Sequence, residues 1–174
     1  MTFKFKDVFA GTQAALGTDP AQGQATFEAQ SRLGGGLDST VAIRQFKVGV
    51  DEPAGLGGQD TAPNPVEYVL AALGSCQEIT YRLYADALGI PLSGVSVRLT
   101  GTIDLRGFFN VDDSVRPGYQ GIRAEVTLDS PASDADLARL KEIVDRHCPV
   151  LDILRNPTPV TLSLHKGALN AAAA

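Results

Sequence analysis

The chain has 174 residues, 44% hydrophobic and 20% charged, with a net charge of −5. That length and balance fit one globular domain with enough apolar residues for a core. With no basic run and no membrane-length apolar stretch, nucleic acid and membranes are poor partners, and a cytoplasmic location is the default expectation.

Two cysteines, Cys76 and Cys148, are too few for a disulfide framework. They fit no zinc spacing either, since only His147 and His165 could complete a site, so no metal or other cofactor is expected. Two plain reduced thiols and a redox pair remain as the alternatives.

In chain order, residues 1–25 read as an N-terminal extension rich in Ala, Gly and Gln. A short amphipathic helix is predicted from Asp7 to Leu16, stopped by Gly17-Thr18-Asp19-Pro20. Thr26 to Leu33 alternates weakly and predicts a strand. Gly34-Gly35-Gly36 is a turn signal, and Thr40 to Val50 predicts a second strand pairing with the first as a hairpin. The triple glycine lacks the following helix that a phosphate loop needs. Asp51-Glu52-Pro53 ends the second strand, and a glycine-containing loop leads to the longest element.

That element is a helix beginning at Asn64-Pro65-Val66-Glu67. Asn64 stands where an N-cap belongs, Pro65 at the first helical position, and Glu67 where a carboxylate reaches back to the cap N–H. The helix is predicted to run to Leu88, with Gly89 as its stop. Val69, Ala72, Leu73, Thr80 and Leu83 fall on the face of Cys76, so this thiol looks inward. A buried core thiol and a reactive one are both consistent with that. The small run Ala71, Ala72, Gly74 and Ser75 would admit another backbone beside it.

Val95, Val97 and Leu99 alternate with polar residues in a strand, and Ile122 to Leu128 do the same, with a polar loop or hairpin tip at 107–118 between them. Ser133 caps a second helix with a stripe of Leu137, Leu140, Ile143 and Val144. It ends at His147-Cys148-Pro149, because a residue before proline leaves the α region. Pro149 can open a further short helix to Leu154. Cys148 would then stand at its start, where free N–H groups and the dipole lower a thiol pKa. His147 either helps in this or simply closes the preceding helix. Val160 to Leu164 alternates as a last strand, and the tail 166–174 is expected to be frayed. Strands that pair as hairpins with two main helices give an α+β class. No dinucleotide fingerprint, Walker loop or nucleophile elbow occurs.

Pro63-Asn64-Pro65-Val66-Glu67 with Gly74-Ser75-Cys76, and His147-Cys148-Pro149-Val150, resemble the OsmC/Ohr family, the osmotically inducible and organic hydroperoxide resistance proteins. Val50-Asp51-Glu52-Pro53, Leu56-Gly57-Gly58 and the closing strand match as well. The resemblance covers residues 26–165. It implies an OsmC-like fold of antiparallel sheets packed on two main helices, and an intertwined homodimer with its site at the subunit interface. It implies a thiol-dependent peroxidase that reduces organic hydroperoxides. Cys76 would attack the O–O bond and become a sulfenic acid. Cys148 would resolve it as a disulfide, which a dithiol reductant would then open.

In that family an arginine held by a glutamate activates the thiol. Arg32 and Arg44 of the first hairpin are the candidates for the arginine. The family's glutamate directly follows the Asn-Pro pair, where this chain has Val66. Glu67, one place on, reads as the capping carboxylate or as the clamp. Loss of the clamp motivates an alternative, a catalytically weak binding protein of the same scaffold that holds a small apolar or thiol ligand in the interface pocket.

Overall fold

The computed structural model describes residues 3–167; the predicted frayed tail from 168 onward lies outside the described residues. Its elements are, in order, helix α1 (Lys6–Thr18), strands β1 (Gln30–Leu33), β2 (Ser39–Ile43) and β3 (Phe46–Val50), and helix α2 (Pro65–Leu88). Strand β4 (Gly94–Ile103), a single helical turn α3 (Leu105–Phe108), strand β5 (Tyr119–Asp129) and helices α4 (Asp134–His147) and α5 (Pro149–Arg155) follow. Both sheets are antiparallel, β1-β2-β3 and β4-β5, so the fold is α+β as predicted. No described helix is long and apolar enough to cross a membrane.

The chain divides into two compact units. One consists of the described residues up to Gln24 with Val69–Leu154. Its core is Tyr81 and Ala85 of α2, Ile90 and Leu92 beyond it, and Leu140 and Val144 of α4. Val95 of β4 and Val126 and Leu128 of β5 pack against that cluster. The alternation read in the sequence is the reason: the apolar set of each strand faces the helices, while Arg98, Thr100, Arg123 and Glu125 face away. Helix α2 ends in a Schellman motif, with Gly89 at φ 68°, Gly89 N–H on the Asp86 carbonyl and Ile90 N–H on the Ala85 carbonyl. Helix α1 packs in the same unit through Phe9, whose ring meets Tyr84 edge-on at 5.1 Å. The Phe5 N–H donates to buried Asp86 at 2.9 Å.

The other unit, Ala25–Tyr68 with the described residues from Arg155, holds the three-stranded sheet. Two strand predictions change here. The first strand begins only at Gln30, with Phe27 89% exposed. The predicted strand from Thr40 to Val50 is two strands joined by Arg44-Gln45, and Arg44 adopts φ 54°. Left-handed turn positions usually carry Gly, Asn or Asp, so an arginine there gives no sequence signal.

The loop after β3 is drawn together by Asp51, 1% exposed, which accepts hydrogen bonds from the N–H groups of Glu52, Gln59 and Thr61 and from the Thr61 hydroxyl. The predicted closing strand, Val160 to Leu164, is not paired into a sheet. Val160, Leu162 and Leu164 are 76%, 89% and 98% exposed. An alternating segment becomes a strand only where an edge accepts its backbone groups, and none of the described residues supplies that edge.

Candidate functional site

Asn64 and Glu67 form the reciprocal cap predicted for α2. The Glu67 N–H donates to Asn64 Oδ1 at 2.9 Å, and the Asn64 N–H donates to Glu67 Oε2 at 2.8 Å. This start sets the rotation of α2 and therefore the direction of every later side chain on it. Its buried stripe is Leu73, Gly74, Gln77, Thr80, Tyr81, Ala85 and Asp86. Cys76 lies at the edge of that stripe and is half-buried, while Ala72, predicted to share its inward face, is exposed. Gly74 faces Leu99 of β4, whose Cδ1 would stand 3.0 Å from a Cβ placed there. At Gly74 the Leu99 side chain uses the space that the small residue leaves.

Pro149 shapes the second thiol. It holds Cys148 out of the helix at φ −77°, ψ 112°. The Cys148 N–H closes α4 on the Val144 carbonyl at 2.9 Å, and its C=O accepts the Asp152 N–H at 3.0 Å as α5 begins. One residue thus ends one helix and starts the next, which fixes its backbone. Cys148 is 1% exposed, and its Sγ lies 3.3 Å from Sγ of Cys76. Two thiols 72 residues apart in sequence are therefore in direct contact without a bond between them.

The electrostatics of the pair differ from the sequence expectation. Burial pushes the Cys76 thiol up from its ordinary value, and the neighbouring Cys148 pushes it further. Two groups oppose this: the Val150 backbone N–H, in the first turn of α5, and the Thr80 hydroxyl. The first-turn amides of a helix have no intrahelical acceptor, so Val150 is free to donate to sulfur. The sequence places Cys148 at that helix start, whereas the Val150 amide acts to lower the Cys76 thiol.

The remaining candidates, Arg32, Arg44 and Glu67, belong to the other compact unit. Arg32 is in β1 opposite Thr40, and Arg44 is in the β2–β3 turn with its guanidinium 5.2 Å from the centre of the Phe46 ring. Both belong to the unit of the three-stranded sheet, whereas the thiols belong to the other unit. Arg44 is thus a turn residue and not, as predicted, a residue within a strand. Glu67 has one carboxylate oxygen committed to the cap.

Three features had no place in the sequence reading. The Arg82 guanidinium is bound to the Leu92 carbonyl at 2.8 Å and paired with Asp86 at 3.5 Å. Gln77, 3% exposed and adjacent to Cys76 in sequence, has a buried amide nitrogen with no partner among the described residues. The His147 ring stacks on Tyr84 at 5.4 Å and 19°. Only the last was visible in part, since His147 adjoins Cys148. Among the described residues no three His, Cys, Asp or Glu side chains converge in a way that would hold a metal ion.

Chemically, an adjacent pair of thiols, one half-buried and one sealed, can pass between dithiol and disulfide with little motion. An S–S bond is about 2.05 Å long, so closure asks for roughly 1.3 Å of sulfur displacement.

Comparison with known proteins bears on the fold and the family. The family model described as OsmC-like protein matches residues 58–163. No curated protein sequence matches the chain. Among solved structures, an OsmC-like protein from Mycoplasma pneumoniae superposes with a TM-score of 0.67 at 19% identity, over 77% of this chain and 90% of that one. The organic hydroperoxide resistance protein OsmC from Legionella pneumophila gives 0.59 at 21% identity, over 75% of this chain and 90% of its own. An organic hydroperoxide resistance protein from Elizabethkingia anophelis, with thiocyanate bound, gives 0.57 at 21% identity, over 77% and 91%. At these identities the structures speak for the fold, and the family model covers more than half of the chain: the protein belongs to the OsmC-like family.

Proposed function

We propose that the protein is a thiol-dependent peroxidase that reduces organic hydroperoxides through Cys76 and Cys148. The observation that carries this reading is the 3.3 Å contact between the two sulfurs. Membership of the OsmC-like family and the organic hydroperoxide resistance proteins among its structural neighbours support the substrate class.

The Cys76 thiolate attacks the terminal oxygen of ROOH. The O–O bond breaks, the alkoxide takes a proton and leaves as ROH, and Cys76 becomes a sulfenic acid. The Cys148 thiolate then attacks the sulfenic sulfur. The S–S bond forms, the S–O bond breaks and water leaves. A dithiol reductant returns the pair to two thiols by exchange. Half-burial among Leu73, Thr80 and Cys148 suits an alkyl hydroperoxide better than hydrogen peroxide.

Because burial raises the Cys76 pKa, the reaction needs a positive group near the thiol. Arg32 and Arg44 are the proposed sources, brought to the thiol in a homodimer. The exposed alternation of Val160, Leu162 and Leu164 supports such a dimer, since a second copy offers these residues an edge to pair with. The proposed setting is cytoplasmic.

The second reading is a catalytically weak binding protein that holds a small apolar or thiol ligand in the interface pocket. It is favoured by Val66 at the glutamate position and by the engagement of Glu67 in the cap. Steady-state reduction of cumene hydroperoxide with a dithiol separates the two. The peroxidase reading requires turnover that Cys76→Ser abolishes. Equal rates for wild type and Cys76→Ser, with a small molecule retained through purification, would establish the second reading instead.

A further inference from the structure

The N-terminal helix lies outside the match to the OsmC-like family model and packs where the two cysteine-bearing segments meet. Three rings form a chain. Phe9 of α1 meets Tyr84 edge-on, at 5.1 Å and 68°, and Tyr84 stacks on His147, at 5.4 Å and 19°. Tyr84 is on α2, the helix of Cys76, eight residues and about 12 Å along its axis. His147 is the last residue of α4 and directly precedes Cys148. Tyr84 therefore brackets the two thiol-bearing segments together, and Phe9 contacts Tyr84 edge-on.

The bracket is anchored below the rings. Asp86, 2% exposed and half a turn beyond Tyr84, accepts the Phe5 N–H at 2.9 Å and pairs with Arg82 at 3.5 Å. A carboxylate this buried needs both partners, so α1 is tied to α2 at its first turn as well as at Phe9.

The α4–α5 junction is the place where such support matters. Pro149 has no N–H to carry the helical ladder on, so the Cys148 backbone is held by the Val144 and Asp152 bonds alone, and how this junction sits against α2 rests on side-chain contacts at the end of α4. Closure of the pair asks for roughly 1.3 Å of sulfur displacement along one direction, and small misplacements of a reacting atom are costly.

We propose that Phe9, Tyr84 and His147 are positioning residues for Cys148, and that α1 serves to hold the resolving thiol against Cys76. This rests on the peroxidase reading for its physiological meaning, although the positioning itself can be measured without it. In the 174-residue chain, Phe9→Ala should leave the first step, sulfenic acid formation at Cys76, at the wild-type rate. It should slow closure of the Cys76–Cys148 disulfide by about two- to tenfold, the rate equivalent of one aromatic contact. The sulfenic acid, living longer, should be caught by a second hydroperoxide, which oxidises it to the sulfinic acid and leaves as a second alcohol. Phe9→Tyr keeps the edge contact and should restore closure.

The assay is stopped-time mass analysis with dimedone trapping after one and after ten equivalents of cumene hydroperoxide, with melting midpoints measured alongside. A Phe9→Ala protein that closes its disulfide as fast as wild type overturns the proposal. So does an equal loss in both steps with a lowered melting point, which would mean general loosening. Diamide separates this from failure of the peroxidase reading. It accepts two electrons and two protons from a dithiol and so closes the pair without peroxide. If wild type forms no sulfenic acid, the peroxidase reading has failed. Slower diamide closure in Phe9→Ala, rescued in Phe9→Tyr, then still supports the positioning role, and unchanged closure overturns it.

Discussion

Oxidation of the Cys76–Cys148 pair should stabilise the fold by an amount that its placement dictates. The perturbation is the removal of two hydrogens, with no change of sequence. The bond would close a loop of about 73 residues, for which the chain-entropy relation gives a stabilisation of roughly 4 kcal/mol at 25 °C. The sulfurs already touch, so little native strain opposes the gain. With an m-value of about 2 kcal/mol/M, the urea midpoint should move up by roughly 2 M. Both forms must be compared at one protein concentration, because association also shifts the midpoint. The assay is urea unfolding of fully reduced and diamide-oxidised protein, with thiol counts and mass confirming one intrachain bond. An oxidised protein of equal or lower stability, or a bond formed between chains, would refute the reasoning, because neither follows from two packed thiols in one compact unit.

Other expectations concern the groups around this pair. Burial first, and Cys148 next, raise the Cys76 pKa, so its thiolate is scarce near neutrality. Its alkylation by iodoacetamide should keep rising with pH beyond about 8.5, the ordinary midpoint of a cysteine, and Cys148→Ala should bring the midpoint down. Asp51 shows the opposite sign. The Thr61 N–H and hydroxyl, with the Glu52 and Gln59 amides, hold its carboxyl below the usual range. Its contribution is present above about pH 4 and is lost as the pH falls through the lower folded value. Asp51→Asn should therefore lower the melting point at pH 7, and the difference from wild type should shrink in acid. Asn64→Ala removes the cap acceptor and should cost about 1 kcal/mol in urea unfolding. Glu67→Gln should leave the peroxidase rate within twofold, since that carboxylate serves the cap.

Elements whose local chemistry decides their shape were legible in the sequence. Asn64, Pro65, Glu67 and Gly89 fix both ends of α2, and Ser133 starts α4 by accepting the Asp136 N–H. The alternation of β4 and β5 names their inner faces. Arg44 hid a turn, because the left-handed residue there is not one of the usual kinds. The segment Val160 to Leu164 has the pattern of a strand, yet pattern alone supplies no pairing edge. For the site, the motifs singled out both cysteines, and the interruption at Pro149 was plain. Which thiol receives the α5 amide depends on how α5 lies beside α2, a tertiary fact with no local signal. The Tyr84–His147 stack is likewise a contact between distant segments, invisible to periodicity.

The central claim is that an organic hydroperoxide oxidises Cys76 and that Cys148 resolves it. One equivalent of cumene hydroperoxide added to the reduced protein, followed by intact-mass and peptide analysis, tests it most directly. Wild type should yield the intrachain Cys76–Cys148 disulfide, Cys148→Ser a dimedone-reactive sulfenic acid at Cys76, and Cys76→Ser no oxidation. Wild-type protein that keeps both thiols while the peroxide remains unconsumed would contradict the account.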